Sequence, residues 1–341
     1  MLKDAICFDD VLLEPKFSDI SSRKEIVLES PLCDNILLNL PIISSPMDTI
    51  TELQMALSMC KSGGIGILHR YNSIEYQCEM VRASINCGAV SIGAAIGVSG
   101  DYIERARSLV RAGANVLCVD IAHGHHALMR HALKTLRNTL GYDIHIMAGN
   151  VATLDGFNDL SDWGANSVRV GIGGGSICST RVQTGHGVPT LQSVLDCSQS
   201  DRPASLIADG GIRNSGDVVK ALAAGADFVM LGSILSGTDE TPGEIAFVSG
   251  ERYKAYRGMA SKDAQIDWRG HTASIEGVSS VVPLKGPVAN VLKELETGIR
   301  SGLSYTGAKN IRELQSKCSF IRQTGAGAEE SSTHIRNKGI T

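Results

Sequence analysis

Aromatic residues are scarce, at 4% of 341 residues, while glycines number 37. That balance disfavours an all-β sandwich and suits parallel strands of Val, Ile and Ala that end in tight loops. Charge of one sign is not in excess either. A net charge of −4 leaves no basic footprint for a nucleic-acid backbone, so any phosphate recognition must be local and no nucleic-acid partner is expected. No apolar run approaches the ~20 residues that span a bilayer, so no membrane partner is expected. Asp4, Asp9 and Asp10 stand where a signal peptide would be hydrophobic, which points to a cytoplasmic protein. The nine cysteines include no C-x-x-C pair, and their odd, scattered set reads as reduced thiols, mostly small buried hydrophobes.

What is present is a core. Hydrophobic residues make up 43% of the chain and charged residues 20%, enough for one large folded unit over 1–341. Eight apolar runs follow one another at 41–49, 64–70, 91–97, 115–124, 143–151, 167–173, 205–211 and 227–235, most followed by a helical pattern. Three are introduced by nearly the same phrase: Ala112-Gly113-Ala114-Asn115, Gly164-Ala165-Asn166 and Ala224-Gly225-Ala226-Asp227. In each, glycine is expected to end a helix in a left-handed conformation before a strand begins. The pattern predicts an α/β fold, a (β/α)8 TIM barrel, with a catalytic loop after strand 6 and a flap insertion after strand 8 at about 236–288. A doubly wound open sheet is the rival, but its glycines belong after the first strand, and here they follow the sixth to eighth. The last helix is expected at about 287–302, and the polar tail, about 322–341, as a disordered end. Residues 1–40 are expected to cover the bottom or side of the barrel.

Strand ends carry the chemistry. Asp209-Gly210-Gly211 and Leu231-Gly232-Ser233 close strands seven and eight, where barrels commonly hold a phosphate on backbone N–H groups. Asp209 is too acidic to face phosphate and suits a ribose hydroxyl, although tight turns without a ligand would read alike. Gly171 to Arg181 places four glycines within five residues ahead of Cys178, which predicts a mobile loop presenting a nucleophilic thiol at the barrel mouth. Inward carbonyls there suit a monovalent cation; a flexible loop with an incidental cysteine is the plainer alternative. His123, His125 and His126 invite a zinc reading, but a polar cofactor lining or a helix start fits their spacing better. Met47 is placed to pack on a flat ring, and Glu276 sits where a lid carboxylate would close.

GIGGGSICSTR (171–181), with ADGGIRNSGDVVKALAAGADFVMLGSILSGTDETPGE (208–244) and YRGMAS (256–261) behind it, resembles the IMP dehydrogenase/GMP reductase family. The likeness runs from FDDVLLEP at 8–15 to GAGAEES at 325–331. It implies a cytoplasmic homotetramer of (β/α)8 barrels acting on a purine nucleotide, with Cys178 forming an adduct at purine C2 while a nicotinamide ring exchanges hydride there. It implies substrate contacts from Ser176, Asp209, Gly210, Gly211, Gly232, Ser233, Gly258, Met259, Ala260 and Gly277. Cofactor contacts are implied at Ser22, Arg23, Arg70, Asp120, Ile121, Ala122, Ile172, Gly173 and Tyr305. A potassium site is implied at Gly173, Gly175, Cys178 and Arg181, completed by a neighbouring subunit's tail near Glu330.

Features of both branches are present. SSPMDT (44–49), AHGHH (122–126), YRGM and the tail resemble the dehydrogenases. Against that, the flap lacks the Arg-Tyr pair by which those enzymes activate water, and Arg269 is its only basic candidate. Thr184 in TRVQTGHGVP and the short flap ending at Glu276-Gly277 resemble the reductases, although Val278 stands where their lid usually has Lys. The regulatory pair of CBS-type domains common in dehydrogenases is not found. The resemblance therefore implies an NADPH-dependent GMP reductase with catalytic residues Cys178, Thr180 and Glu276. An NAD-dependent IMP dehydrogenase is the second reading, and a nucleotide-binding regulator that has lost catalysis is the third.

Overall fold

All eight apolar segments contain a strand, and the strands close on themselves. In the computed structural model, which describes residues 2–33 and 35–331, the parallel strands are Ile42–Ser44, Ile65–Leu68, Gly93–Ile96, Val116–Asp120, His145–Val151, Ser167–Val170, Ser205–Asp209 and Phe228–Leu231. They pair in chain order, and the eighth returns to the first through Val229↔Ile42 and Leu231↔Ser44. Between Ser44 and Val151 the chain passes from strand to helix to strand without an inserted domain. Most apolar runs extend past their strands because the final residues leave the ladder to form loops at the C-terminal face, where barrel active sites are built.

The repeated phrase has the conformation its glycines require. Gly113, Gly164 and Gly225 adopt φ of 106°, 113° and 113°. The polar residue that follows does more than enter a strand. Asn115 Oδ1 accepts the Ile92 N–H, Asn166 Oδ1 the Ile146 N–H and Asp227 Oδ2 the Leu206 N–H, at 3.0, 2.8 and 2.8 Å. Each unit thereby ties the entry of its strand to that of the strand before it.

A hairpin of Ser30–Cys33 and Ile36–Leu38 closes the far end of the barrel. Its Leu32, Ile36 and Leu38 pack with Ile43, Ile67, Cys118, Met147, Phe228 and Met230 inside the barrel. That interior is therefore a filled core. The region 8–13 takes the side: Val11–Leu13 pairs antiparallel with Phe320–Arg322, and Asp9 binds Arg213. The tail departs from the expected disorder over its described part. Phe320–Arg322 leads into it as a strand, because Val11–Leu13 offers backbone partners that composition does not reveal, and Gly325–Glu330 is a helix capped by the Thr324 hydroxyl. Residues 332–341 of the predicted tail lie outside the described residues.

The last barrel helix, Val288–Tyr305, runs slightly past its expected end. Ahead of it the flap is a structured unit: a three-stranded antiparallel sheet of Ala246–Val248, Glu251–Arg257 and Ser279–Pro283, with helix Lys262–Arg269 between the last two strands. No helix among the described residues is long and apolar enough to cross a membrane.

His145, at the entry of the fifth strand, is 3% exposed, and burial pushes its imidazole down to about 4. The folded protein thus keeps it neutral, while the unfolded chain protonates it near pH 6.5. Stability from this group is present above pH 6.5 and falls as the pH drops toward 4. Between pH 7 and pH 5, the parent is expected to lose about 2 kcal/mol more than His145→Gln. Urea unfolding of both proteins at the two pH values checks this; equal losses would remove His145 as the cause.

Candidate active site

Three backbone segments meet at the mouth and fix Cys178. Val278 N–H donates to Ile177 O at 3.0 Å, Ser179 N–H to Glu276 O at 2.9 Å, and Glu276 N–H to Ala260 O at 3.1 Å. The loop after strand six, the flap end and the 258–261 turn are thus stitched together. Glycine is required at two crossings. A Cβ on Gly258 would lie 3.3 Å from Gly277 Cα, and one on Gly277 would lie 3.0 Å from Ser261 N. Gly258, Met259, Ala260 and Gly277 therefore sit beside the nucleophile's loop as one packed turn.

The side chains continue the convergence. Cys178 Sγ donates to Thr180 Oγ1 at 3.2 Å, and Thr180 Oγ1–H donates to Glu276 Oε2 at 2.8 Å. Thr180 opens the short helix Thr180–Thr184, and Glu276 comes from the flap 96 residues later. Cys178 is exposed, unlike Cys118 and Cys197, whose thiols burial pushes up to about 12. A thiol, a hydroxyl and a carboxylate hydrogen-bonded in a row can pass a proton along the line.

The glycine run ahead of Cys178 also permits close backbone approach. A Cβ on Gly171 would strike the Asp209 carbonyl, and one on Gly174 would strike the Thr190 hydroxyl. A Cβ on Gly210 would lie 3.2 Å from Gly175 N. The glycines let this loop lie directly on the Asp209–Gly211 turn, which a run of small residues cannot disclose in sequence.

Gly232 faces the Met47 sulfur and the hydroxyls of Ser45 and Tyr256. Tyr256 Oη lies 3.4 Å from Ser176 Oγ and also contacts Ser233; burial pushes the phenol up despite both serines. Tyr256, buried on the flap strand, is a further member of the cluster. Its signal was the YRGM phrase.

The largest omission from the sequence reading is Arg169. On the sixth strand, with its side chain 8% exposed, it reaches Asp120 Oδ1 at 2.5 Å and Asp209 Oδ2 at 2.9 Å. Asn150 Nδ2 adds a 2.9 Å bond to the same Asp209 oxygen. Burial disfavours the guanidinium charge, but Cys118, Asp120 and Asp209 outweigh it and hold Arg169 firmly protonated. All donors act on Oδ2 of Asp209; Oδ1 takes no hydrogen bond among the described residues. The available signal was a charge inside SVRVG, an otherwise apolar strand, which demands buried carboxylate partners.

Beside Asp120, Arg70 approaches the carbonyl of that residue at 3.4 Å, and Ile121 and Ala122 continue the same strand end. Arg70 lies over Tyr71, whose ring stacks on Trp268 of the flap helix at 5.6 Å while its hydroxyl donates to Met259 O. Arg70 Nε, Asp48 Oδ1 and Asn72 Oδ1 are buried there without a hydrogen bond, although Arg70 Nε lies 4.0 Å from Asp120 Oδ2. His126 caps helix Ala127–Leu140, accepting the Leu128 N–H, and His125 pairs with Asp159 at 2.8 Å. Ile172 bridges Val188, and the Arg181 guanidinium lies along Gly173 and Gly187 and donates to Val188 O. Met47 packs at Gly232.

Ser22, Arg23 and Tyr305 do not join this site within one chain. Ser22 and Arg23 belong to a turn beside the last barrel helix, and Tyr305 ends that helix, at the face opposite the mouth.

Comparison with known proteins agrees with this geometry. The family model described as IMP dehydrogenase / GMP reductase domain matches residues 5–334. An inosine-5'-monophosphate dehydrogenase of Nitrosopumilus maritimus is 36% identical, over 97% of this chain and 98% of its own. A GMP reductase of Leishmania major is 34% identical, over 99% and 98%. A cysteine-to-alanine variant of GMP reductase from Trypanosoma brucei, solved with guanosine 5'-monophosphate, superposes with a TM-score of 0.93 at 32% identity, covering 98% of both chains. With the match spanning nearly its whole length, this chain belongs to the IMP dehydrogenase/GMP reductase family of oxidoreductases.

Proposed function

We propose that this protein is a GMP reductase, converting GMP and NADPH to IMP, ammonia and NADP⁺. The observation that carries the reading is the Cys178–Thr180–Glu276 path. Cys178 attacks purine C2; its proton passes through Thr180 to Glu276 and on to the departing amino group, which leaves as ammonia. When bound, NADPH would supply the hydride for C2; the C–S bond then breaks with Sγ leaving as the thiolate, and a proton from solvent restores the Cys178 thiol. Asp209 Oδ1 faces the ribose diol, and Ser176, Ser233, Tyr256 and Gly232 receive the phosphate.

The residues present fit both groups the family implies. Orphaned Arg70 Nε and Asn72 Oδ1, beside Asp120, offer polar contacts for the nicotinamide nucleotide. The carbonyl oxygens of Gly173, Gly175 and Cys178, with no carboxylate in the loop, suit potassium better than a divalent ion. Arg181 would add its carbonyl to that set: like the Gly175 carbonyl, which accepts the Cys178 N–H, it accepts one backbone N–H, from Gly185, and keeps a second lone pair. The reading includes a cytoplasmic homotetramer, which would bring Ser22, Arg23, Tyr305 and the tail near Glu330 to a neighbour's site.

IMP dehydrogenase is the second reading, supported by the N. maritimus relative. It needs a group to activate water, and Arg269 is exposed. Purified protein given GMP and NADPH is expected to lose the reduced-nicotinamide absorbance and release ammonia. A gain of that absorbance with IMP and NAD⁺ would overturn the reading, and silence in both directions would favour a binding protein.

A further inference from the structure

We propose that Ser274 and Gln265 are positioning residues that aim Glu276 at Thr180; the proposal rests on the reductase reading above. The two oxygens of Glu276 are held by different donors. Thr180 Oγ1–H reaches Oε2 at 2.8 Å and Ser274 Oγ–H reaches Oε1 at 3.0 Å. The last torsion of a glutamate is soft, so a carboxylate with one donor can swing away from its partner. A second donor on the other oxygen fixes the plane and leaves Oε2 toward Thr180.

Ser274 is itself anchored by a buried amide. Gln265, on the flap helix and 3% exposed, donates from Nε2 to Ala260 O at 3.0 Å and to Ser274 O at 2.9 Å. Its Oε1 accepts the Ala273 N–H at 2.7 Å. Both donors of this amide are used, so it staples the 260 turn to the 273–274 segment in one register. Burying such a group without those partners is unfavourable, which makes any other register costly. The Glu276 N–H to Ala260 O bond is set by the same register. The flap helix thus acts on the proton path without touching it.

The test is a steady-state comparison of full-length variants with GMP and NADPH. Ser274→Ala is expected to lower kcat about tenfold, as for a lost hydrogen bond to a charged group. The GMP KM should move less than about twofold, because ground-state binding is untouched. Ser274→Thr, which keeps the hydroxyl, should restore kcat. In a Glu276→Gln background, Ser274→Ala should add less than about twofold, since its effect passes through the carboxylate. Gln265→Met should lower kcat in the same sense; if that variant does not fold, the Ser274 cycle decides alone. Parental kcat in Ser274→Ala, or equal losses in both backgrounds, would overturn the proposal while leaving the reductase reading intact. Parental turnover by Glu276→Gln would instead remove the relay, and the positioning proposal falls with it.

Discussion

Cys178→Ser is expected to lower kcat with GMP and NADPH by about 10⁴-fold or more while leaving GMP binding nearly unchanged. A serine hydroxyl in the same position can still donate to Thr180, but it is a far poorer nucleophile than a thiol at neutral pH. The binding contacts proposed for the ribose and phosphate come from Asp209, Ser233 and Tyr256, which the substitution does not touch. Folding should be unaffected as well, because Cys178 is exposed and fills no core space. Calorimetry for GMP affinity and a progress curve for turnover separate the two effects; turnover surviving the change would refute the adduct. The other thiols are poor substitutes. Cys118 and Cys197 are buried with thiols pushed up to about 12, and burial also raises Cys7, Cys78 and Cys318. Cys87 is exposed but ends the second barrel helix, away from the relay. GMP should therefore protect Cys178, and not Cys87, from alkylation.

The barrel was legible because it is written in local chemistry. Helix-ending glycines at 113, 164 and 225 and short Val/Ile runs are requirements of the backbone, so they survive as pattern. Cys178 was legible from its glycine-rich loop and Glu276 from its place in the flap, but their connection through Thr180 came from the resemblance; nothing in spacing joins residues 96 positions apart. Interactions across the barrel stayed hidden for that reason. Gly171 and Gly174 read as mobile because their value lies in what approaches them, the Asp209 carbonyl and Thr190. The strand that leads into the tail depended on pairing with Val11–Leu13, some 300 residues away in sequence. Ser22, Arg23 and Tyr305 matched the family by motif, yet one chain leaves them at the opposite end from Arg70 and Asp120. Motif likeness fixes residue type and says nothing about which subunit supplies it.

Arg169 is the residue whose loss should cost the fold most. It is the cation between two carboxylates, Asp120 and Asp209, in the barrel interior. Arg169→Met keeps much of the side-chain volume but leaves Asp120 and Asp209, both only partly exposed, without their counter-charge. Breaking a buried ion pair by removing one partner typically destabilises by about 3–5 kcal/mol, so urea unfolding should report a loss of at least about 3 kcal/mol. Activity should fall too, since Asp209 loses the donors that fix its orientation. The origin of the instability can be tested directly. Neutralising the stranded charges, with Asp120→Asn and Asp209→Asn added to Arg169→Met, should recover most of the lost stability, because apolar or neutral replacement of a whole buried network is often tolerated. It should not recover turnover, because the carboxylate proposed to hold the ribose is gone. If the single variant is as stable as the parent, the network carries no uncompensated charge burden. If the triple variant is no more stable than the single one, lost packing around the guanidinium is the cause. The buried arginine therefore links stability to chemistry: the same ion pairs that make charge tolerable inside the barrel hold Asp209 at its mouth.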